Sequence, residues 1–174
     1  MDKYIFLDID GVLATPKSIE GVGGEWKIED EKQELLKQII DSTGAKIVLS
    51  SSWRKWDLET TIEFMKQEGF WFYDLIVGVT IRAYQYIDRT KKIHLSIPRG
   101  VEIQQWIDTN IHSDNGKNWE RKELCVDYNY VILDDDSDML FTQRNNFIFT
   151  NGNLGLTKED CNLAIEILNR EYYF

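Results

Sequence analysis

Short apolar runs recur along this chain with helix-like stripes between them, and that alternation most constrains its fold. Strand-length runs stand at residues 4–7, 47–49, 75–79, 130–133 and 147–149. Residues 31–42 set Leu35, Leu36, Ile39 and Ile40 on one stripe and stop at Thr43-Gly44, a C-cap signal. Residues 58–68 repeat the pattern with Leu58, Ile62 and Met65, between an Asp57 N-cap and Gly69. Residues 100–109 carry Val101, Ile103, Trp106 and Ile107, and residues 157–171 open on Thr157-x-x-Asp160, a capping-box signature. Strands alternating with helices predict an α/β fold with three layers, a mostly parallel central sheet covered by helices on both faces.

Ligands bind at the carboxyl ends of the strands in such sheets. The polar residues stand at those ends. Asp8 and Asp10 follow the first strand, Ser50-Ser51-Ser52 the second, and Asp134-Asp135-Asp136 a later one. Three clusters therefore converge on one sheet edge. Residues 14–27, with Gly21, Gly23 and Gly24, read as a short flap above the first cluster, and residues 112–127 as a polar loop excursion. No repeat or low-complexity tract divides the 174 residues, so one domain over 1–174 is expected.

A net charge of -10 argues against general binding to nucleic acid or anionic membrane, though not against a local basic pocket. Cys125 and Cys161 lie far apart without metal-ligand spacing, which suits a reducing compartment. Asp8 and Asp10 interrupt the first apolar run before a signal-peptide core could form, and no stretch reaches membrane-spanning length. A cytoplasmic protein without a membrane partner is the expectation.

The segment FLDIDGVL is similar to the first motif of the haloacid dehalogenase (HAD) superfamily of phosphohydrolases, an apolar strand followed by two alternate acids and a glycine. IVLSSSWR resembles the second motif, a hydroxyl residue at a strand end. PRGVEI resembles the third, a basic residue opening a helix, and YVILDDDSDM the fourth, an acidic cluster. The motifs stand in the superfamily's order across almost the whole chain. More narrowly, they are similar to the small, nearly capless HAD domains of bacterial and phage RNA-repair proteins.

The resemblance implies a Rossmann-like HAD fold with a minimal cap, and a Mg²⁺-dependent phosphomonoester hydrolase. Its ligands would be the Asp8 carboxylate, the Asp10 main-chain carbonyl and an acid of the fourth cluster, Asp134 or Asp135. Asp138 would orient the basic residue or a metal-bound water. Elementary chemistry agrees with the first motif. A carboxylate at a strand tip, Asp8, can attack phosphorus, and Asp10 points the same way because strand side chains alternate. Asp10 would act as general acid and then base. Gly11 lets the chain turn beside the substrate, and Mg²⁺ offsets the repulsion between carboxylates and phosphate. Ser50 or Ser51 would donate a hydroxyl to the phosphoryl group. Arg99 would neutralise it where the superfamily has Lys, with Lys91 or Lys92 as alternatives, and Arg54 would give a second anion contact.

Each cluster also has a bland reading. A lone DxD pair is common in turns, and DDDSD alone is a solvated acidic turn. Asp134, Asp136 and Asp138 have the alternate spacing of a calcium loop, but Met139 fills the glycine position and Asn145 the last one. Trp106 belongs to a helix stripe; Trp26, Trp53 and Trp56 lie near the acids, where each could pack or stack on a base. His94 and His112 have no ligand partners in sequence. The preferred substrate is a terminal phosphate on a nucleotide or polynucleotide, with Arg82, Arg89, Lys91, Lys92 and Arg99 as a basic wall. The rivals are a small-metabolite or phosphoprotein phosphatase and a catalytically idle binding module.

Overall fold

The computed structural model describes residues 1–19, 24, 26–88, 90, 93–111 and 128–171. Its elements are β1 (Asp2–Leu7), α1 (Asp30–Thr43), β2 (Lys46–Leu49), α2 (Leu58–Gln67), β3 (Ile76–Val79), β4 (Tyr84–Asp88), β5 (Ile93–Ser96), α3 (Arg99–Asn110), β6 (Tyr128–Asp134), β7 (Phe147–Phe149) and α4 (Lys158–Leu168). Five strands form one sheet in the order β3-β2-β1-β6-β7, and every neighbouring pair is parallel.

Strand alternation builds the layers. Ile5, Leu7, Ile47, Leu49, Val131 and Leu133 face a core shared with Leu36 and Ile39 of α1, Met65 of α2 and Ala164 and Ile167 of α4. The intervening Phe6, Val48 and Ile132 face a second core with Ile103, Trp106 and Ile107 of α3. Three helices thus cover one face and one covers the other, the α/β Rossmann-like architecture expected. Trp106 is a core residue, set edge-on to Tyr4 and Phe6 with ring centres 5.5 Å away in each case. At the helix ends, Gly44 adopts φ +68 and its N–H bonds Ile40 O, closing α1. Thr157 and Asp160 cap α4 reciprocally.

The register places the polar residues. Leu7 pairs with Leu49 on one side and with Leu133 on the other. The next residue of each strand, Asp8, Ser50 and Asp134, therefore comes level at the carboxyl edge. Ser50 N–H donates to Leu7 O and Asp8 N–H to Leu133 O, each at 3.0 Å, so the ladder reaches the site itself.

One element departs from expectation. β4 and β5 form an antiparallel hairpin in a stretch whose basic residues suggested only a charged wall. The alternation Tyr84-Gln85-Tyr86 carries the strand signal there. Of that wall, Arg82 and Arg99 are used for internal contacts described below, while Arg89, Lys91 and Lys92 lie outside the described residues. So do the loop at 112–127, with His112, Trp119 and Cys125, and residues 20–23 and 25 of the flap. Among the described residues, no helix is long and apolar enough to cross a membrane.

Candidate active site

Adjacent strands carry Asp8 and Asp134 side by side. One carboxylate oxygen from each of Asp8, Asp134 and Asp135 lies within 4.8 Å of the other two. The Asp134 side chain is fully buried. Burial, followed by the negative charge of Asp8, pushes its carboxyl up to about 7, against the pull of Arg99 and the Asp136 N–H. Asp8 is also raised, chiefly by burial, although Arg99, the Ser51 hydroxyl and the Ile9 N–H oppose the rise. Three carboxylates share one guanidinium, so the cluster lacks positive charge. Hard oxygen donors at this separation fit a divalent cation such as Mg²⁺.

Two glycines make room for the third acid. Gly11 has φ +69, and a Cβ there would fall 2.2 Å from Asp135 Cγ. A Cβ on Gly152, in the loop after β7, would fall 2.4 Å from Asp135 Oδ2. Gly11 is thus needed for the turn and for the carboxylate beneath it. Gly152 has the second task alone, and no motif in the sequence points to it.

Arg99 opens α3 and reaches across to the acids. Its Nη1 lies 3.3 Å from Asp134 Oδ2 and 3.6 Å from Asp8 Oδ2. Burial would lower its pKa, but Asp8, Asp134, Glu102 and Asp138 outweigh that and raise it. Among the described residues Arg99 is the base at this point; Lys91 and Lys92 lie outside them. Asp138 stands apart from the metal-capable cluster. Its Oδ2 accepts from the Arg99 backbone N–H at 2.7 Å. The N-cap residue of α3, Pro98, has no side chain to do this, so Asp138 caps the helix from the neighbouring loop. Of the two partners expected for Asp138, the basic residue is the one it meets here: the chain turns away after β6 and carries Asp138 to the base of Arg99.

On the other side of Asp8 lies the serine turn. Ser51 Oγ accepts from Ile9 N–H at 3.3 Å and Trp53 N–H at 3.2 Å, and its hydroxyl bonds Asp8. The Ser50 hydroxyl is buried and has no hydrogen-bond partner. Ser51, not Ser50, therefore touches Asp8. Asp10 is held at both oxygens: Trp53 Nε1 donates to Oδ1 at 2.8 Å and Ser52 Oγ to Oδ2 at 3.0 Å.

These observations decide a comparison of the chain with known families. The family described as the HAD domain in Swiss Army Knife RNA repair proteins matches residues 4–161. The chain belongs to that family. It is a HAD-type phosphohydrolase. No curated protein and no solved structure gives a match.

In this HAD domain Arg54 does not present itself to an anion as expected. Its guanidinium donates to Ser51 O, Thr80 O and Ile81 O, and to Glu102 of α3 at 2.6 Å. Both members of that ion pair are buried. Glu102 accepts from Ala83 N–H with its other oxygen, and Arg82 donates to the carbonyls of Ser52 and Arg54. Arg54 thus fixes the serine turn against α3 and the segment leading to β4. Sequence reasoning missed Glu102 and Gly152 as parts of the HAD site, and it set Ser52 in the serine cluster without its bond to Asp10. It also assigned Trp53 only to packing or stacking, not to Asp10.

Proposed function

We propose that this HAD domain hydrolyses phosphomonoesters through an aspartyl-phosphate on Asp8. The observation that carries the reading is the meeting of Asp8 with Asp134, Asp135 and Arg99 at one strand edge. The Asp8 carboxylate attacks phosphorus; the bond to the leaving oxygen breaks, and Asp10 gives that oxygen its proton. Asp10 then takes a proton from water, which attacks the aspartyl-phosphate and releases inorganic phosphate and free Asp8. Ser51 donates to the phosphoryl oxygens, and Arg99 offsets their charge. Asp135, Asp134 and Asp8, with the Asp10 main-chain carbonyl, would hold Mg²⁺, which when bound neutralises phosphoryl charge. Arg54 keeps the serine turn in place, and Asp138 keeps Arg99 in place.

A terminal phosphate on a nucleotide or polynucleotide is the preferred substrate. The RNA-repair context of the family favours it, and the buried Cys161 thiol is at home in a reducing cytoplasm. The test is release of phosphate from p-nitrophenyl phosphate with Mg²⁺ by the parent chain, Asp8→Asn and Asp10→Asn. Activity in the parent alone supports the reading; equal background release from all three would leave a binding module. Turnover of phosphorylated oligonucleotides and mononucleotides in preference to phosphopeptides and sugar phosphates would support the substrate class.

A further inference from the structure

We infer that the cleft between the flap and α2 is a leaving-group subsite for a nucleoside, with its base stacked against Trp26. This rests on the reading that Asp10 protonates the leaving oxygen, and it adds the residues that would recognise what departs. Arg99 and the acids Asp134 and Asp135 stand on the β6 side of Asp8, whereas Asp10 is tied to Ser52 and Trp53 beyond β2. Attacking and leaving oxygens lie roughly in line through phosphorus. A leaving group delivered to Asp10 therefore continues toward Trp53 and α2.

A cleft of about 480 Å³ opens at that place, lined by Trp26, Trp53, Phe64, Lys27 and Lys55, with the acids Asp10 and Glu68. Its floor is aromatic. Trp53 packs on Phe64 with ring centres 6.0 Å apart, while its Nε1 edge holds Asp10. Trp26, on the same lining, leaves 36% of its surface exposed, so part of an indole is open to a ligand. Lys55 Nζ sits over the Phe64 ring, 3.4 Å from its centre, and sets a cation among the aromatics. Flat aromatic faces next to lysines suit a base and the phosphodiester that flanks it. A sugar, or a peptide without an aromatic side chain, would leave those faces without a matching plane.

Binding tests this without needing turnover. The full-length Asp8→Asn chain with Mg²⁺ would be titrated with short fluorescent oligonucleotides bearing a terminal phosphate, with either a base or an abasic sugar at that end. Mononucleotides would serve as competitors. The base-bearing end should bind at least about fivefold more tightly than the abasic one, the low end of what one stacked base gives. Trp26→Ala should abolish that difference and Trp26→Phe should retain part of it. Equal affinity for the two ends in the Asp8→Asn chain, or an undiminished preference in Trp26→Ala, would overturn the inference. Competition by mononucleotides as strong as by oligonucleotides would assign the subsite to free nucleotides, and weaker competition to strand ends. Failure here with Asp8-dependent phosphatase activity intact refutes the subsite alone. Base-dependent binding without any hydrolysis by the parent chain refutes the catalytic reading alone.

Discussion

On its β6 side Asp8 faces the buried Asp134 and the half-buried Asp135, with Arg99 as the cation beside them. On its β2 side the turn is knit by hydrogen bonds: Asp10 to Trp53 and Ser52, Ser51 to Ile9 and Trp53, Arg54 to four acceptors. The first side stores electrostatic cost and the second side spends contacts to fix geometry. A buried carboxylate pushed to about 7 destabilises the metal-free fold at neutral pH. That arrangement suits a site that gains its missing charge from a bound cation. On the β2 side only the Asp10 carbonyl would meet that cation, so the buried Arg54–Glu102 pair should support the fold independently of it.

The largest effect belongs to the nucleophile. Asp8→Asn should lower kcat on p-nitrophenyl phosphate by at least about 10⁴-fold, checked by steady-state kinetics. By removing a buried charge beside Asp134, it should raise rather than lower the melting temperature of the metal-free protein at neutral pH, checked by calorimetry. Retained activity would remove Asp8 from the chemistry. Next comes the β2 side. Glu102→Ala strands the buried Arg54 guanidinium and should cost about 3–5 kcal/mol of stability, read by denaturant unfolding with and without Mg²⁺. A loss that Mg²⁺ erases would break the contrast between the two sides.

The β6 side should show itself through pH. Asp134 titrates near 3.8 when unfolded and near 7 in the fold, and Asp8 is raised as well, so the folded chain binds more protons between those values. Their contribution is most favourable below pH 4 and is lost as pH rises through about 7. The metal-free protein should lose melting temperature between pH 5 and pH 8, Mg²⁺ should restore it, and Asp134→Asn should flatten the slope without metal. An unchanged slope in Asp134→Asn would place its cause elsewhere. The smallest effect tests the positioning of Asp10. Trp53→Phe keeps an aromatic ring against Phe64 but removes the Nε1 donor. It should lower kcat on glycerol phosphate about 10- to 100-fold with KM nearly unchanged. An equal rise in KM would make Trp53 a substrate contact instead.

The parallel sheet and the acids at its edge were legible because strand alternation and strand ends are local in sequence. Knowing that Leu7, Leu49 and Leu133 end apolar runs is enough to bring Asp8, the serines and Asp134 together. What stayed hidden depends on distant partners. Nothing near Arg54 reveals that Glu102 and the carbonyls of Thr80 and Ile81 will consume its donors. Gly152 matters because a loop after β7 passes against Asp135, a contact made across the fold. Asp138 was expected beside the basic residue or a metal-bound water, but that it would hold the Arg99 backbone N–H at the α3 N-terminus depends on the turn after β6. The β4–β5 hairpin was masked by the charge of the residues around it.

The most direct measurement is where phosphate becomes attached during turnover. The protein would be mixed with p-nitrophenyl phosphate and Mg²⁺, quenched in acid within the first turnovers, and digested for mass spectrometry. The phosphoryl group should be found on the peptide carrying Asp8, and be absent without Mg²⁺ and in Asp8→Asn. Steady hydrolysis with no phosphoryl group on Asp8 at any quench time, or with the group on another residue, would contradict the account.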